Sequence, residues 1–318
     1  MKKLVSNYTD KDDALHPLDG SHYYEWWYFD GRFTNGYSFV AIWHWRNSAL
    51  TPHVPSIQIY IYTPDGKCHQ GLRTVNPAEC KSKSDNCDIT MNDSYVRQQG
   101  DVYSLSMLTK GVGCELTFEP LVQGWKHDDG LMCNTANMIH GWVIPCPRAN
   151  VKGNLYLDGA TIPVAGSGYH DHNWGNSSLA DFCNGWYWGR ISDSQYTAIF
   201  NKIFSKDNKE LRMFYLANNQ CTLLDTSDFQ FIADENTMHE GLYNPYPNNI
   251  DMNVDQEDIK LKYKLKTLNV VEATKLSKDP NIRADYGRFL ADYEAKIQIE
   301  KSSDEVHGQG IFERFIFR

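Results

Sequence analysis

Strict alternation of apolar and polar residues is the feature that most narrows what this chain can fold into. In Ile259-Lys260-Leu261-Lys262-Tyr263-Lys264-Leu265-Lys266, an extended backbone puts Ile259, Leu261, Tyr263 and Leu265 on one side and four lysines on the other. A helix would spread both sets around its circumference, whereas a strand keeps them apart. The segment predicts a half-buried strand whose lysines face solvent rather than a nucleic acid. Ser56-Ile57-Gln58-Ile59-Tyr60-Ile61-Tyr62 repeats the pattern and runs into the turn Thr63-Pro64-Asp65-Gly66.

Further strands are predicted over 26–33, 37–45, 101–108, 113–119, 139–145, 153–158, 168–174, 184–192, 195–204, 210–217 and 294–301. Turn signals punctuate them at Asp30-Gly31, Asn35-Gly36, Asp158-Gly159 and Asp207-Asn208. Ile282, Tyr286, Phe289 and Tyr293, at spacings of 3 and 4, predict a short helix around 281–293. The asparagine- and proline-rich stretch 244–253 reads as a long loop. Many short strands with few helices mean an all-β barrel or sandwich. At 318 residues, two such units fit better than one. The polar stretch after Trp174 is the expected boundary, giving domains 1–178 and 179–318.

The chain carries 31 basic and 40 acidic side chains, a net charge of −9. That balance argues against nucleic-acid or anionic-membrane partners, which need clustered cations. No run of about 18 apolar residues predicts a transmembrane segment. The first residues lack the apolar stretch of a secretory signal, so a cytoplasmic protein with reduced, structural thiols is expected. The eight cysteines form no CxxC pair, although a Cys80–Cys87 bridge stays open. Aromatic residues are abundant, with 9 Trp, 19 Tyr and 14 Phe. They gather at 23–29, 37–45, 142, 169–174 and 186–188, which includes Trp186 and Trp188. That clustering reads as the wall of an apolar, cation-tolerant pocket.

Nucleotide loops, serine nucleophile elbows and zinc-protease helices are absent from the sequence. The densest chemical segment is Gly168-Tyr169-His170-Asp171-His172-Asn173-Trp174-Gly175. On a strand, Tyr169, Asp171 and Asn173 take one face and His170, His172 and Trp174 the other. The two histidines offer a metal pair, but no third ligand at matching spacing is evident, and a buried polar network is the competing reading. Upstream, His140 and Trp142 share a face across Gly141. Set opposite Tyr169 and Asp171, they would desolvate the Asp171 carboxyl, raise its pKa and let it protonate an alkene. Nearby aromatic faces would stabilise the resulting cation. A third segment, Tyr23-Tyr24-Glu25-Trp26-Trp27-Tyr28-Phe29, is more aromatic than a strand core requires.

Glu25-Trp26-Trp27-Tyr28-Phe29-Asp30-Gly31 together with the 168–175 motif resembles the carotenoid 1,2-hydratase and AttH-like superfamily of lipocalin-like proteins. That superfamily also includes phytoalexin hydratases and fungal decalin Diels–Alderases. Tyr293-Glu294 and the segment 308–313 resemble the family's ending more loosely, so the resemblance spans about residues 20–318. It implies two lipocalin-like β-barrel or sandwich domains with a ligand cavity within or between them. Its His-x-Trp and Tyr-x-Asp pairs fall on His140, Trp142, Tyr169 and Asp171, which implies Asp171 as proton donor and the other three as its shell. Tyr24, Glu25, Trp26, Trp27, His170, His172, Asn173, Trp174, Trp186 and Trp188 are the expected pocket residues.

The expectation is a natural-product enzyme needing no cofactor and no metal, acting on a hydrophobic polyene, terpenoid or polyketide. Acid-catalysed hydration or cyclisation of an alkene through a carbocation is the first reading. A Diels–Alderase-type pericyclase, which preorganises a folded polyene, is the second. A carrier of hydrophobic ligands without chemistry is the third.

Overall fold

The computed structural model describes residues 7–256, 258–279 and 281–317. The chain forms two compact units, the first ending at Ser178 and the second beginning at Leu179. The first contains β1 (Tyr24–Phe33), β2 (Ser38–Arg46), β3 (Ser56–Tyr62), β4 (Cys68–Thr74), β5 (Cys80–Ser82), β6 (Asp88–Met91), β7 (Ser94–Gln99), β8 (Val102–Leu108), β9 (Val112–Pro120), β10 (Leu131–Asn134), β11 (Ile139–Leu157) and β12 (Ala160–Gly175). The second contains β13 (Cys183–Ser192), β14 (Tyr196–Ser205), β15 (Glu210–Asn218), β16 (Thr222–Thr226), β17 (Gln230–Thr237), β18 (Tyr246–Asp255), β19 (Ile259–Lys275), β20 (Asp285–Ile299) and β21 (Ser302–Ile316).

Chain connectivity forces each sheet to curl. In the first unit the strand order is β4-β3-β2-β1-β12-β11-β9-β8-β7-β6-β5, with β10 added to β11. Laid flat, that path would be about 48 Å wide at the usual strand spacing. Yet its two edges, β4 and β5, are successive in sequence, and six peptide steps from Thr74 to Cys80 reach at most ~22 Å. The second sheet, β16-β15-β14-β13-β21-β20-β19-β18-β17, obeys the same logic. Its edges β16 and β17 are separated only by residues 227–229. Both units are all-β, and in both the first strand pairs with the last, β1 with β12 and β13 with β21.

Inside each curl, one face of most strands packs into an apolar core. Trp27, Phe29, Phe39, Trp43, Ile57, Ile59 and Ile61 belong to the first core. Tyr187, Phe200, Phe214, Leu261, Tyr263, Leu265, Phe289 and Phe312 belong to the second. The alternating lysine segment forms the start of β19, its apolar set buried and its lysines exposed. Burying a Leu or Phe side chain in this way stabilises by roughly 1.5–3 kcal/mol.

Three sequence expectations are corrected. No helix spans 281–293; β20 occupies most of it, with Phe289, Ala291, Tyr293, Ala295 and Ile297 buried at period two. The 3-and-4 spacing caught Ile282 and Tyr286, which lie off that buried set. The stretch 244–253 is largely strand β18, because Ile250, Met252 and Val254 alternate into the core between its asparagines. Asp30-Gly31 is not a turn but lies within β1, opposite Tyr169 and Gly168 of β12. Cys80 and Cys87 are free thiols. Among the described residues no helix is long and apolar enough to cross a membrane.

Candidate active site

The motif of β12 lies between β1 and β11, and its alternation separates two clusters on opposite faces of the same strands. The interior cluster is ionic. A 3-10 turn, Asp10–Asp13, carries Asp13 fully buried beneath the sheet. His170 Nε2 donates to Asp13 Oδ2 at 2.9 Å, and its Nδ1 lies 2.9 Å from the Tyr28 carbonyl. His172 lies between two carboxylates, Nε2 at 2.8 Å from Glu25 Oε1 and Nδ1 at 3.3 Å from Asp13 Oδ1. Tyr103 donates to Asp13 at 3.1 Å, Trp27 donates to the Asp13 carbonyl at 2.9 Å, and the Tyr23 hydroxyl donates to Glu25. Phe29 stacks on His170 and Trp27 on His172, so the ions are sealed in aromatic surface.

The charges in this cluster compensate one another. Burial by itself would raise the Asp13 carboxyl, but His170 and His172 bring it down to about 2. Burial would lower His172, but the Asp13 and Glu25 carboxylates beside its two nitrogens raise it to about 9. Glu25 is likewise held below its usual range against its burial, by His16, His172 and Tyr23. Two triads here have ligand atoms within 4.8 Å of one another, Asp13/Cys87/His170 and His16/Glu25/His172. A metal would need neutral imidazoles. Both nitrogens of His172 face carboxylates, and Glu25 Oε1 also accepts from the His16 backbone at 2.8 Å. The donor set therefore fits a hydrogen-bonded ion network better than a metal centre.

The outer face of the same strands holds Asp171, 8% exposed. Its Oδ2 accepts from the Tyr169 hydroxyl at 2.9 Å and its Oδ1 from the Asn173 amide at 2.8 Å. Tyr28 lies directly opposite on β1, and Tyr28 and Tyr169 meet edge-on with ring centres 6.3 Å apart. Tyr28 also donates to Asp30 at 3.1 Å. Asn173 is flanked in register by Trp26 on β1 and Trp142 on β11, and Trp142 meets Trp125 edge-on. A carboxyl, two phenols, an amide and indoles thus share one face. They can protonate, hydrogen-bond and stabilise a cation.

The expected site residues divide between these clusters. Tyr169, Asp171, Asn173, Tyr24, Trp26, Trp142 and His140 share the outer face. Glu25, Trp27, His170, His172 and Trp174 lie on the interior side, the first four in the ion network and Trp174 stacked on His16 at 3.7 Å. Trp186 and Trp188 belong to β13 of the second unit. His140 pairs in register with Gly175, about 13 Å along β12 from Asp171. Its ring meets the Tyr24 hydroxyl at 2.7 Å and the Ser177 hydroxyl at 2.8 Å, so it fixes Tyr24 rather than facing Asp171. Gly141 and Gly175 make this packing possible. A Cβ on Gly141 would stand 2.1 Å from the Trp174 indole, and one on Gly175 2.6 Å from His140 Nδ1.

Sequence reasoning missed Tyr28, Asp30, Asp13 and His44. Alternation along β1 points to the first two. Asp13 lies far from the motif in sequence and carries no local signal. His44 pairs with Trp26 on the outer face, and burial lowers it to about 4, so it is a neutral imidazole. Its Nε2 lies 3.4 Å from Gln58 Oε1.

The sequence model of the AttH-like family matches residues 67–313. Hydroxyneurosporene dehydrogenase of Chlorobaculum tepidum is 27% identical over 231 residues, 60% of this chain, and the match spans about three fifths of that relative's length (59%). The fold resembles CghA crystallised with Sch210972, with a TM-score of 0.71 at 13% identity over 99% of this chain and 96% of that one. It also resembles kievitone hydratase from Nectria haematococca, with a TM-score of 0.61 at 14% identity over 97% and 92%. With more than half its length matched by one family model, the chain belongs to the AttH-like family.

Proposed function

We propose that this chain is a cofactor-independent enzyme of natural-product metabolism that protonates an alkene of a polyene or terpenoid-like substrate, with Asp171 as the acid. The observation that carries this reading is a buried carboxyl, hydrogen-bonded by Tyr169 and Asn173, on a face built from Tyr28, Trp26 and Trp142. Relatives named for hydroxyneurosporene and for a hydratase support the substrate class and the reaction type.

In the proposed step the Asp171 proton bonds to the less substituted alkene carbon, using the π electrons and leaving a tertiary cation on the other carbon. The carboxylate so formed is stabilised by the Tyr169 and Asn173 donors. The cation lies against the π faces of Tyr28, Trp26 and Trp142. Water then adds through oxygen and returns one proton to Asp171, giving a tertiary alcohol. If an internal alkene adds instead and a carbon-bound proton is lost to Asp171, the product is a ring.

One observation favours a second reading, a pericyclase. Both Asp171 oxygens already accept hydrogen bonds, an arrangement suited to holding donors in place without proton transfer. Such a site would orient a polyketide polyene through Tyr28 and Tyr169. Asp171→Asn separates the two in a product assay with lycopene or a prenylated phenol. Proton donation predicts a loss of roughly 10²–10⁴ in turnover. Turnover within a few-fold of the parent would remove Asp171 as the acid, and loss confined to Trp142→Ala would favour the pericyclase.

A further inference from the structure

The exposed face of the second sheet breaks its own charge pattern at one place, which none of the chemistry above uses. The β19 lysines stand in cross-strand rows with β18 and β20. Lys266 lies between Asn249 and Asp292, Lys264 between Asp251 and Glu294, and Lys260 between Asp255 and Gln298. Each of these three has a carboxylate directly opposite on at least one side. Lys262 instead lies between Asn253 and Lys296. Gln230 of β17 continues that row beyond Asn253. Facing Cβ atoms of an antiparallel pair are about 4.5–5.5 Å apart, and like charges so placed repel.

The break coincides with a concavity of about 640 Å³, lined by Lys260, Lys262, Lys296, Asn253, Gln230 and Gln298. Asp228 and Asp255 also border it, so three ammonium groups meet two carboxylates in a chain whose net charge is −9. Asp255 is engaged by Lys260 at 3.1 Å, and Lys296 reaches Glu305 of β21 at 3.0 Å. Lys262 forms no ion pair among the described residues. An acid at 262 would match Lys296 across the strands and Lys260 and Lys264 along β19. A lysine there does the reverse and leaves positive charge uncompensated at the concavity.

We propose that this concavity binds the phosphate or diphosphate group of a soluble small molecule. Lys262 and Lys296 hold the anion from facing strands with Lys260 beside them, and the Asn253 and Gln230 amides donate to its oxygens. Three neighbouring cations suit an anion with two or more charges and several acceptor oxygens. The volume lies in the range of small-molecule sites, which leaves space for the organic group that carries the phosphate. The surrounding charges select against a longer polyanion or an anionic bilayer. Either would also meet Asp251, Glu294 and Asp292 in the rows beyond Lys262. A compact anion on the Lys262 row avoids them.

The test is a binding measurement, independent of turnover and so of the role assigned to Asp171. Inorganic pyrophosphate is titrated into the full chain by calorimetry, backbone amide shifts locate the site, and co-sedimentation with phosphatidic acid vesicles is measured beside it. Saturable binding with Kd on the order of 0.1–1 mM is expected, with shifts confined to β17–β20 around Asn253, Lys262 and Lys296. Lys262→Gln and Lys296→Gln should each weaken it about three- to fivefold, the worth of an exposed ion pair. Lys264→Gln, the same charge change one row away, should leave Kd within about twofold, because carboxylates already flank Lys264. Four results would overturn the proposal. Two are no saturable binding, and shifts spread over the surface. A third is equal weakening by Lys264→Gln, which would reduce the effect to the diffuse field of the lysine stripe. The fourth is capture by the vesicles without pyrophosphate binding, which would assign the lysines to a membrane surface.

Discussion

Replacing Asp13 by Asn tests whether the interior ion network is what holds the first unit's β12 in place. Asp13 is fully buried and takes hydrogen bonds from His170 and Tyr103, with His172 at 3.3 Å. Its carboxyl is held at about 2 against an ordinary 3.8, and at 1.36 kcal/mol per pH unit this amounts to roughly 2–3 kcal/mol of stability. His172, raised from 6.5 to about 9, gives roughly 3 kcal/mol for the same cluster viewed from its other end. The two are not added, and the Asp13 figure applies to the Asp13 variant. Asn keeps the shape and one acceptor but strands positive charge, so a loss of about 3 kcal/mol at pH 6 is expected, near the low end for breaking a buried pair. Urea unfolding measures the loss, and hydrogen exchange of β12 amides assigns it to the first unit.

The pH dependence supplies a second signature. A carboxylate whose folded pKa is depressed contributes stability above its unfolded value and loses it as pH falls, here between about 4 and 2. A histidine whose folded pKa is raised contributes fully below its unfolded value and loses that contribution as pH rises, here between about 6.5 and 9. The first unit should be most stable between these windows. Asp13→Asn should flatten the acid limb and move the alkaline limb to lower pH, because Asp13 helps keep His172 protonated. A loss below about 1 kcal/mol with both limbs unchanged would refute the claim that the network bears on stability.

Other outcomes follow from the same structure. Gly141→Ala places a Cβ 2.1 Å from the Trp174 indole, and a loss of about 1–3 kcal/mol is expected from overpacking, measured by urea unfolding. Cys68, the exposed thiol, should react with Ellman's reagent in the native protein. Cys87 and Cys146 are buried, and burial raises Cys114 to about 12, so these three should react only on unfolding. Lys262→Gln and Lys264→Gln lie on the exposed face of β19 and should each change stability by less than about 0.5 kcal/mol.

What could be read from the chain divides along physical lines. The strand Ser56–Tyr62 is found with the bounds its alternation and its closing Thr63-Pro64-Asp65-Gly66 turn predict. The division of 168–174 into two faces follows from the pleat alone, and the pairing of β12 with β1 and β11 bears it out. Strand β18 and the first part of β20 run against expectation because their buried sets pass through Ala and Gly or between asparagines, where hydrophobicity gives little contrast, whereas the rest of β20 falls in the strand expected over 294–301. The partner of His170 was beyond reach, since Asp13 lies 157 residues away and only closure of the curl brings them together. The same holds for Tyr28 beside Asp171, a neighbour across strands rather than along one.

The two faces of β12 are mechanically one object, and this bears on the role proposed for Asp171. Side chains of a strand alternate about a single backbone, so pinning residues 170 and 172 from inside also fixes where 171 points outside. His170 is bound at both nitrogens, one to Asp13 and one to the Tyr28 carbonyl, and Tyr28 itself flanks Asp171 on the outer face. The interior ions therefore set both the height of Asp171 and its spacing from the Tyr28 ring. A site that relies on preorganised donors loses rate when its geometry loosens by a fraction of an ångström. The Asp13→Asn variant, while still folded at pH 6, should thus lose turnover without any change to a residue on the proposed reacting face. Its loss should fall on kcat more than on KM, because the aromatic wall proposed to bind the substrate remains intact. Unaltered kcat in a variant destabilised by about 3 kcal/mol would show that the two faces are independent and that the interior network serves the fold alone.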